Sequence, residues 1–254
     1  MKLTRRRFIL TSLLLASGCR TLEEQKRKGK KALLASPYEN RAEDLFLMNF
    51  LLRERGFETT TLSREECNET NIFRNLEQIA KTSNDPSQTL FYYAGHYPIY
   101  FSQTGEPLMT QEGVLVKGED DAGRLSPQEL FYNLRNPKGK KAIIIDACHS
   151  GIYPDYARDK KPIKNYVVIA ACPAGTETLF GKVFIQGRWT GALTYGIYQT
   201  LTNNKKVNLS EAKINCGTEE YRKMTQQQLK SKVPSSKFPI SFEMQRESDT
   251  DYWI

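Results

Sequence analysis

The chain has 254 residues, of which 39% are hydrophobic, and a formal net charge of +8. This length allows one substantial hydrophobic core. The positive charge lies at the beginning: residues 1–18 hold four basic residues and no acid, residues 20–31 hold six basic and two acidic residues, and residues 32–254 hold 27 of each sign. Because most of the chain is neutral, its composition argues against nucleic acid as a partner.

The first residues predict export. The basic run Arg5-Arg6-Arg7 precedes an apolar stretch over Phe8–Ser17, as in a signal peptide with a twin-arginine-like start. That stretch is too short to span a bilayer. Leu15-Ala16-Ser17-Gly18-Cys19 resembles the processing box of bacterial lipoproteins. We therefore expect a signal peptide at residues 1–18 and an exported protein anchored to the bacterial cell envelope through lipidated Cys19. An amphipathic N-terminus or an uncleaved anchor is the alternative.

Residues 19–31 are interpreted as a basic tether and residues 32–254 as one domain. Lysines and arginines just beyond a lipid anchor favour an anionic membrane surface. We therefore expect the membrane to be reached through the lipid anchor and its tether.

Strands and helices are predicted to alternate along residues 32–254. Short apolar runs predict strands, and apolar residues at helical spacing predict helices. The predicted strands are Lys31–Ala35, Phe57–Leu62, Thr89–Ala94, Ala142–Ile145, Val167–Ala170 and Ile240–Met244, with a small hairpin element at Gly113–Val116. The predicted helices are Asn40–Arg55, Asn71–Lys81, Ser126–Leu134, Thr190–Thr202 and Leu209–Lys232. This order indicates an α/β domain whose mostly parallel sheet, of about six strands, carries helices on both faces.

Helix ends are also marked in the sequence. Gly56 follows the first helix, where a glycine C-cap is expected. Ser126, Pro127 and Glu129 have the spacing of an N-cap, a first-turn proline and a capping box.

Two of the predicted strands end in residues suited to nucleophilic catalysis. One ends just before His96, and another leads into Asp146–Gly151. In open α/β sheets, ligands bind outside the carboxyl ends of the strands. A thiol becomes a nucleophile when an imidazole close in space takes its proton. We therefore predict Cys148 as the nucleophile and His96 as its base, with a sharp turn at Gly151 and a structural role for His149.

The same segments resemble the motifs of a known family. Tyr92–His96 resembles the histidine block, and Ile145–Gly151 the cysteine block, of the caspase-like peptidases, which include caspases, paracaspases, metacaspases and their bacterial relatives. Gly187–Leu193 and Phe238–Ile240 resemble later blocks of the family. The resemblance implies a caspase-like fold and a cysteine endopeptidase that acts on proteins or peptides. The backbone N–H groups of Tyr97 and Cys148 would then bind the oxyanion.

Substrate specificity is predicted from acids near the thiol. On an extended strand, Asp146 and Cys148 would lie on one face, so that the carboxylate could receive a basic side chain. In metacaspases and paracaspases, which cleave after Arg or Lys, an aspartate at this motif position binds the P1 residue, and the resemblance carries that role to Asp146. Asp44 matches a second pocket acid. The alternative for Asp146 is a structural carboxylate that accepts backbone N–H bonds.

Other features leave alternatives open. The family usually has Gly directly after the histidine, whereas this chain has Tyr97, whose ring is expected to crowd the cleft. No cofactor is expected to be required, and Glu119–Asp121 leaves calcium open as the metal. Cys172 is expected in the core. A disulfide bond between Cys67 and Cys216 is one option for these two residues. A catalytically silent peptide-binding module and an envelope scaffold remain the alternatives to a peptidase.

Overall fold

The computed structural model describes residues 29–82, 88–97, 100–101, 107–108, 113–117, 123–174, 183–185, 188–204, 207–209, 243–246 and 254. The predicted signal peptide, most of the tether, Glu119–Asp121 and Cys216 lie outside these ranges, as does the helix predicted at Leu209–Lys232 apart from its first residue.

The described residues form short strands and helices in alternation. In chain order the strands are β1 (Lys30–Ser36), β2 (Glu58–Ser63), β3 (Gln88–Ala94), β4 (Tyr100–Phe101), β5 (Pro107–Leu108), β6 (Val114–Val116), β7 (Gly123–Leu125), β8 (Lys140–Asp146), β9 (Tyr166–Ala170), β10 (Val183–Ile185), β11 (Arg188–Thr190) and β12 (Glu243–Arg246). The α-helices are α1 (Ala42–Glu54), α2 (Glu69–Thr82), α3 (Pro127–Asn133), α4 (Ile152–Lys160) and α5 (Ala192–Asn203), and 3-10 turns lie at Glu39–Arg41 and Arg64–Glu66.

Six of these strands form one sheet in the order β12-β9-β8-β3-β1-β2. The five strands from β9 to β2 are parallel, and β12 pairs antiparallel with β9. Three two-stranded antiparallel pairs, β4–β5, β6–β7 and β10–β11, lie outside the sheet. The predicted mostly parallel α/β sheet is therefore confirmed.

Alternate side chains of the strands enter two separate core layers. On β8, Ala142 and Ile144 join α1 and α5 in one layer, whereas Ile143 and Ile145 join α2, α3 and α4 in the other. Successive side chains of a strand point to opposite faces, so a strand that is apolar at every position needs a cover on each side. The expectation of helices on both faces is thereby confirmed.

Helix ends follow the local signals in the sequence. Gly56 has φ +80°, its N–H donates to Arg53 O at 3.0 Å, and the Phe57 N–H donates to Leu52 O at 3.0 Å. These two bonds close α1 with a Schellman motif, which needs a left-handed residue that glycine supplies without strain. At α3 the Glu129 N–H donates to Ser126 Oγ at 3.2 Å, and the Ser126 N–H donates to Glu129 Oε2 at 3.1 Å. The predicted capping box is confirmed.

Helix α4 was not predicted. It begins directly after the cysteine motif and buries Tyr153 and Ala157, which are four residues apart. Within the described ranges, none of the helices has the length and hydrophobicity needed to cross a membrane.

Candidate functional site

The ends of β3 and β8 lie side by side and in register. Ala94 pairs with Asp146, and the Gly95 N–H donates to Asp146 O at 3.1 Å. His96 and Cys148 each follow two residues later, in the loops that leave these neighbouring strands. The structure thus brings the predicted base and nucleophile to the same edge of the sheet. Both residues are partly exposed there, so a substrate can reach them.

The turn that carries Cys148 is hydrogen-bonded to the residues that follow β9. Ser150 is buried, and its Oγ accepts the Ala171 N–H at 2.9 Å. Cys172, also buried, donates its Sγ–H to Ala147 O at 3.6 Å. The end of β9 therefore supports the peptide that leads into the nucleophile. The expected core position of Cys172 is confirmed.

The sharp turn after the nucleophile is made by His149. His149 has φ +53°, in the left-handed region, while Gly151 has φ −58° and caps α4. Gly151 lies in this turn as expected, but the left-handed residue of the turn is His149, two residues earlier. The His149 ring is buried and packs on the Tyr97 ring, with centroids 5.4 Å apart. A structural role for His149 agrees with this packing.

Tyr97 is also buried, in the core layer that contains apolar side chains of α2, α3 and α4. Its ring therefore lies in the core, and the expectation that it crowds the cleft is wrong. The bulky residue at the glycine position of the family is accommodated by contact with His149.

The loop that carries His96 is held by neighbouring elements. The Leu115 N–H of β6 donates to His96 O at 3.0 Å. The Tyr38 ring meets the imidazole edge-on, with centroids 4.5 Å apart. Burial, and then the positive charge of Arg41, lower the pKa of His96. A lowered pKa keeps the imidazole neutral at neutral pH, which is the form that accepts a proton.

Arg41 forms the centre of a buried ionic cluster with the two predicted pocket acids. Its Nη1 lies 2.9 Å from Asp44 Oδ2, and its Nη2 lies 3.4 Å from Asp146 Oδ1. Nη2 also donates to Asp146 O at 2.8 Å. All three side chains are 1% exposed. The structure therefore brings Asp44 and Asp146 together, with a guanidinium of the chain itself between them.

The remaining acceptor atoms of this cluster are bonded by α5 and its N-cap. Asp146 Oδ2 accepts from the Thr194 N–H at 3.1 Å and from Thr194 Oγ1 at 2.6 Å, and the Gly191 N–H donates to Asp44 Oδ1 at 2.8 Å. A Cβ on Gly191 would lie 2.3 Å from Asp146 Oδ2, so glycine permits this close approach. The surroundings of Asp146 are thus those of a carboxylate that accepts backbone N–H bonds.

One guanidinium shared by two carboxylates leaves a net negative cluster. Burial raises the pKa of Asp44 to about 7, Arg41 opposes the rise, and Asp146 adds to it. Asp44 therefore takes up a proton near neutral pH.

The predicted common face of Asp146 and Cys148 is wrong. Strand β8 ends at Asp146, whose carboxylate contacts α5 in one layer, whereas Cys148 packs against the opposite layer. Alternation continues only while the strand is extended, and the turn begins immediately after Asp146.

Sequence reasoning missed Arg41. It lies three residues before Asp44 at the start of a helix, a spacing that is also common for exposed ion pairs. The burial of Arg41 depends on β8, which is more than a hundred residues away in the sequence. No local sequence pattern therefore predicts that Arg41 is buried.

The described residues contain no cluster of three or more His, Cys, Asp or Glu side chains that could hold a metal ion. Glu119–Asp121, considered for calcium, lies outside the described residues. Cys67 is buried, and burial raises the pKa of its thiol to about 12.

Comparison with known proteins identifies the family. A caspase domain model matches residues 33–239, which is most of the chain. The chain therefore belongs to the caspase domain family. No curated protein sequence gives a significant match.

Three solved structures resemble the chain. A Geobacter sulfurreducens protein is 16% identical, over 87% of this chain and 95% of its own, with a TM-score of 0.49. The Drosophila initiator caspase Dronc is 13% identical, over 87% and 80%, with a TM-score of 0.47. A secreted C11 cysteine protease from Bacteroides thetaiotaomicron, bound to an irreversible peptide inhibitor, is 11% identical, over 59% and 49%, with a TM-score of 0.37. All three scores are below 0.5, so the family assignment rests on the domain match.

Proposed function

We propose that the protein is a cysteine endopeptidase in which Cys148 is the nucleophile and His96 its general base. The observation that carries the proposal is the register of β3 and β8, which places both residues two positions beyond paired strand ends. Membership of the caspase domain family supports a peptidase. The lowered pKa of His96 supports the base role, because a neutral imidazole is needed to take the thiol proton.

The reaction is a two-step acyl transfer. His96 takes the proton of Cys148, and the thiolate attacks the carbonyl carbon of the scissile peptide. Backbone N–H groups of Cys148 and Tyr97 stabilise the oxyanion in this proposal. The imidazolium then gives its proton to the leaving amine, and water hydrolyses the thioester with His96 again acting as base.

Variants of the two residues test the proposal. Cys148→Ala and His96→Ala are each expected to abolish hydrolysis of a peptide library, and the two losses should not add because the residues act as a unit. His149→Ala is the matched control, since it removes the other imidazole of the chain and should cost less activity. Wild-type turnover by Cys148→Ala would refute the assignment.

Cleavage after Arg or Lys is a further part of the proposal. The resemblance to metacaspases and the pairing of Asp44 with Asp146 support it. Because Arg41 already binds both carboxylates, a substrate cation has to share or displace this guanidinium. A P1 peptide library decides the question: Arg is expected first, followed by Lys, whose ammonium lacks the fork geometry of a guanidinium. A preference for Asp at P1 would contradict the pocket assignment and identify Arg41 as the binding cation.

Two variants make the specificity test selective. Asp146→Asn should lower kcat/KM on Arg peptides by a factor corresponding to about 2 kcal/mol, if the charge of Asp146 acts on the substrate. Asp155→Asn is the control, because Asp155 lies on α4 and pairs with Arg158 at the surface. Equal effects of the two substitutions would remove Asp146 from the substrate pocket.

Export and lipid anchoring complete the proposal. Their support is the sequence of residues 1–31, with its basic start, apolar stretch and processing box. Lipidated protein should partition into membranes and carry acyl mass on its N-terminal fragment, because each buried CH₂ adds about 0.8 kcal/mol of membrane affinity. Cys19→Ser should abolish both signals. An unmodified Met1 in protein from the native host would contradict this part.

Cofactor independence is tested with the same peptides. Activity should persist in EDTA, and a requirement for added calcium would contradict this expectation. Absence of turnover with the thiol reduced, both with and without calcium, would favour a silent peptide-binding module.

A further inference from the structure

One backbone carbonyl joins three parts of the site. Asp146 O accepts the Gly95 N–H at 3.1 Å and Arg41 Nη2 at 2.8 Å. Gly95 directly precedes His96, and Asp146 lies two residues before Cys148. Arg41 therefore contacts the atom at which the histidine loop and the cysteine loop are bonded to each other.

We propose that Arg41 is a positioning residue of the peptidase site, which fixes the histidine and cysteine loops to each other. The inference rests on the proposed peptidase function. It goes beyond that function because Arg41 belongs to neither motif and is not assigned to substrate or to the reacting atoms.

The fork of the guanidinium explains why an arginine is suited to this place. One nitrogen binds the Asp44 carboxylate, and the other reaches the carbonyl and the carboxylate of Asp146. A planar group with several N–H donors makes these contacts at once, whereas a lysine ammonium has the same charge but no fork. Arg41 thereby ties the turn before α1 to the end of β8.

The charge of Arg41 acts on His96 in the direction that catalysis needs. Of the groups that act on the imidazole, Tyr38 comes from the turn after β1 and Arg41 from the turn before α1. Asp44 and Asp146 are bound to Arg41, which offsets part of their charge. Removing the guanidinium would take a cation away from His96, and this change favours imidazolium.

The two histidines of the chain make the effect measurable without turnover. In full-length Cys148→Ala protein, the imidazole Cε1–H signals are followed by NMR as the pH is changed, and His149→Ala identifies which signal is His96. Arg41→Met should move the titration of His96 to higher pH. The His149 signal controls for a change in the whole fold.

Arg41→Lys separates charge from geometry in the catalytically competent protein. The His96 titration should stay close to that of wild type because the charge remains, while kcat should fall at least tenfold because the loops lose their common anchor. The acid limb of the pH–rate profile should follow the NMR titration in each variant.

Several results would overturn the inference. A folded Arg41→Met protein with an unchanged His96 titration would exclude the effect of charge, and Arg41→Lys with full kcat would exclude positioning. If Arg41→Met does not fold, Arg41→Lys carries both measurements, and a raised His96 titration in that variant would contradict the effect of charge. Inactive wild-type protein would refute the peptidase proposal, while the NMR arm would still decide whether Arg41 acts on His96.

Discussion

Thr194 joins two fully buried polar groups, and its substitution gives a sharp test of the site architecture. Thr194 Oγ1 lies 2.6 Å from Asp146 Oδ2 and 2.5 Å from the Tyr92 hydroxyl oxygen. The carboxylate only accepts, so Thr194 donates to it, and Tyr92 therefore donates to Thr194. Valine has nearly the same shape as threonine and cannot make either bond.

The expected cost of Thr194→Val follows from these two bonds. A hydrogen bond to a charged group contributes about 1.5–3 kcal/mol, and a buried hydroxyl left without a partner costs about 1–3 kcal/mol. The Thr194 N–H still bonds Asp146, so we expect the free energy of unfolding to fall by about 3 kcal/mol in total. Thr200→Val on the same helix is the control, because Thr200 Oγ1 makes one bond, to Gly196 O at 2.8 Å, in a half-buried position. Its cost should be about 1 kcal/mol or less.

Urea unfolding measures both variants, and the slope m should stay constant if only stability changes. Tyr92→Phe combined with Thr194→Val should cost less than the sum of the single changes, because the double variant leaves no orphan hydroxyl. A loss in Thr194→Val no larger than that in Thr200→Val would show that the network does not stabilise the site.

Three further predictions concern the same part of the molecule. Gly191→Ala places a Cβ 2.3 Å from Asp146 Oδ2 and 2.6 Å from Arg41 Nη1, so the melting temperature and the activity should both fall; an unchanged melting temperature would contradict the packing. The folded state of wild type retains a proton on Asp44 that the unfolded chain releases, so wild type should lose stability relative to Asp44→Asn as the pH rises from about 4 to about 7; parallel curves of urea midpoint against pH would contradict this. Ser126→Ala removes a distant helix cap and should cost about 1 kcal/mol with no change in kcat/KM.

The sequence was sufficient for the elements that are locally determined. Strands β3 and β8 contain the short apolar runs Leu90–Ala94 and Ala142–Ile145, which end abruptly and identified both the parallel sheet and the edge where His96 and Cys148 lie. The caps of α1 and α3 depend on residues within one turn and were predicted for the same reason. Helix α4 was not predicted because it has only nine residues, with too few apolar side chains to show the helical periodicity.

The contacts around the site depend on distant parts of the chain. Arg41 and Asp146 are 105 residues apart, and Asp44 and Gly191 are 147 apart. No periodicity or motif links such pairs, so the contacts that Arg41 and Gly191 make with these aspartates were not predicted. The left-handed turn at His149 was missed because glycine is the residue usually expected in that conformation. The predicted common face of Asp146 and Cys148 failed because it assumed a strand that continues.

The members of the ionic cluster lie far apart in the sequence and are therefore synthesised at different times. A ribosome delivers Arg41 and Asp44 first, Asp146 about a hundred residues later, and the Gly191 and Thr194 donors later still. Until α5 emerges, the carboxylates lack their backbone partners, and the peptide before Cys148 lacks part of its support. A nascent chain that already carries both histidine and cysteine motifs is thus held short of a finished site.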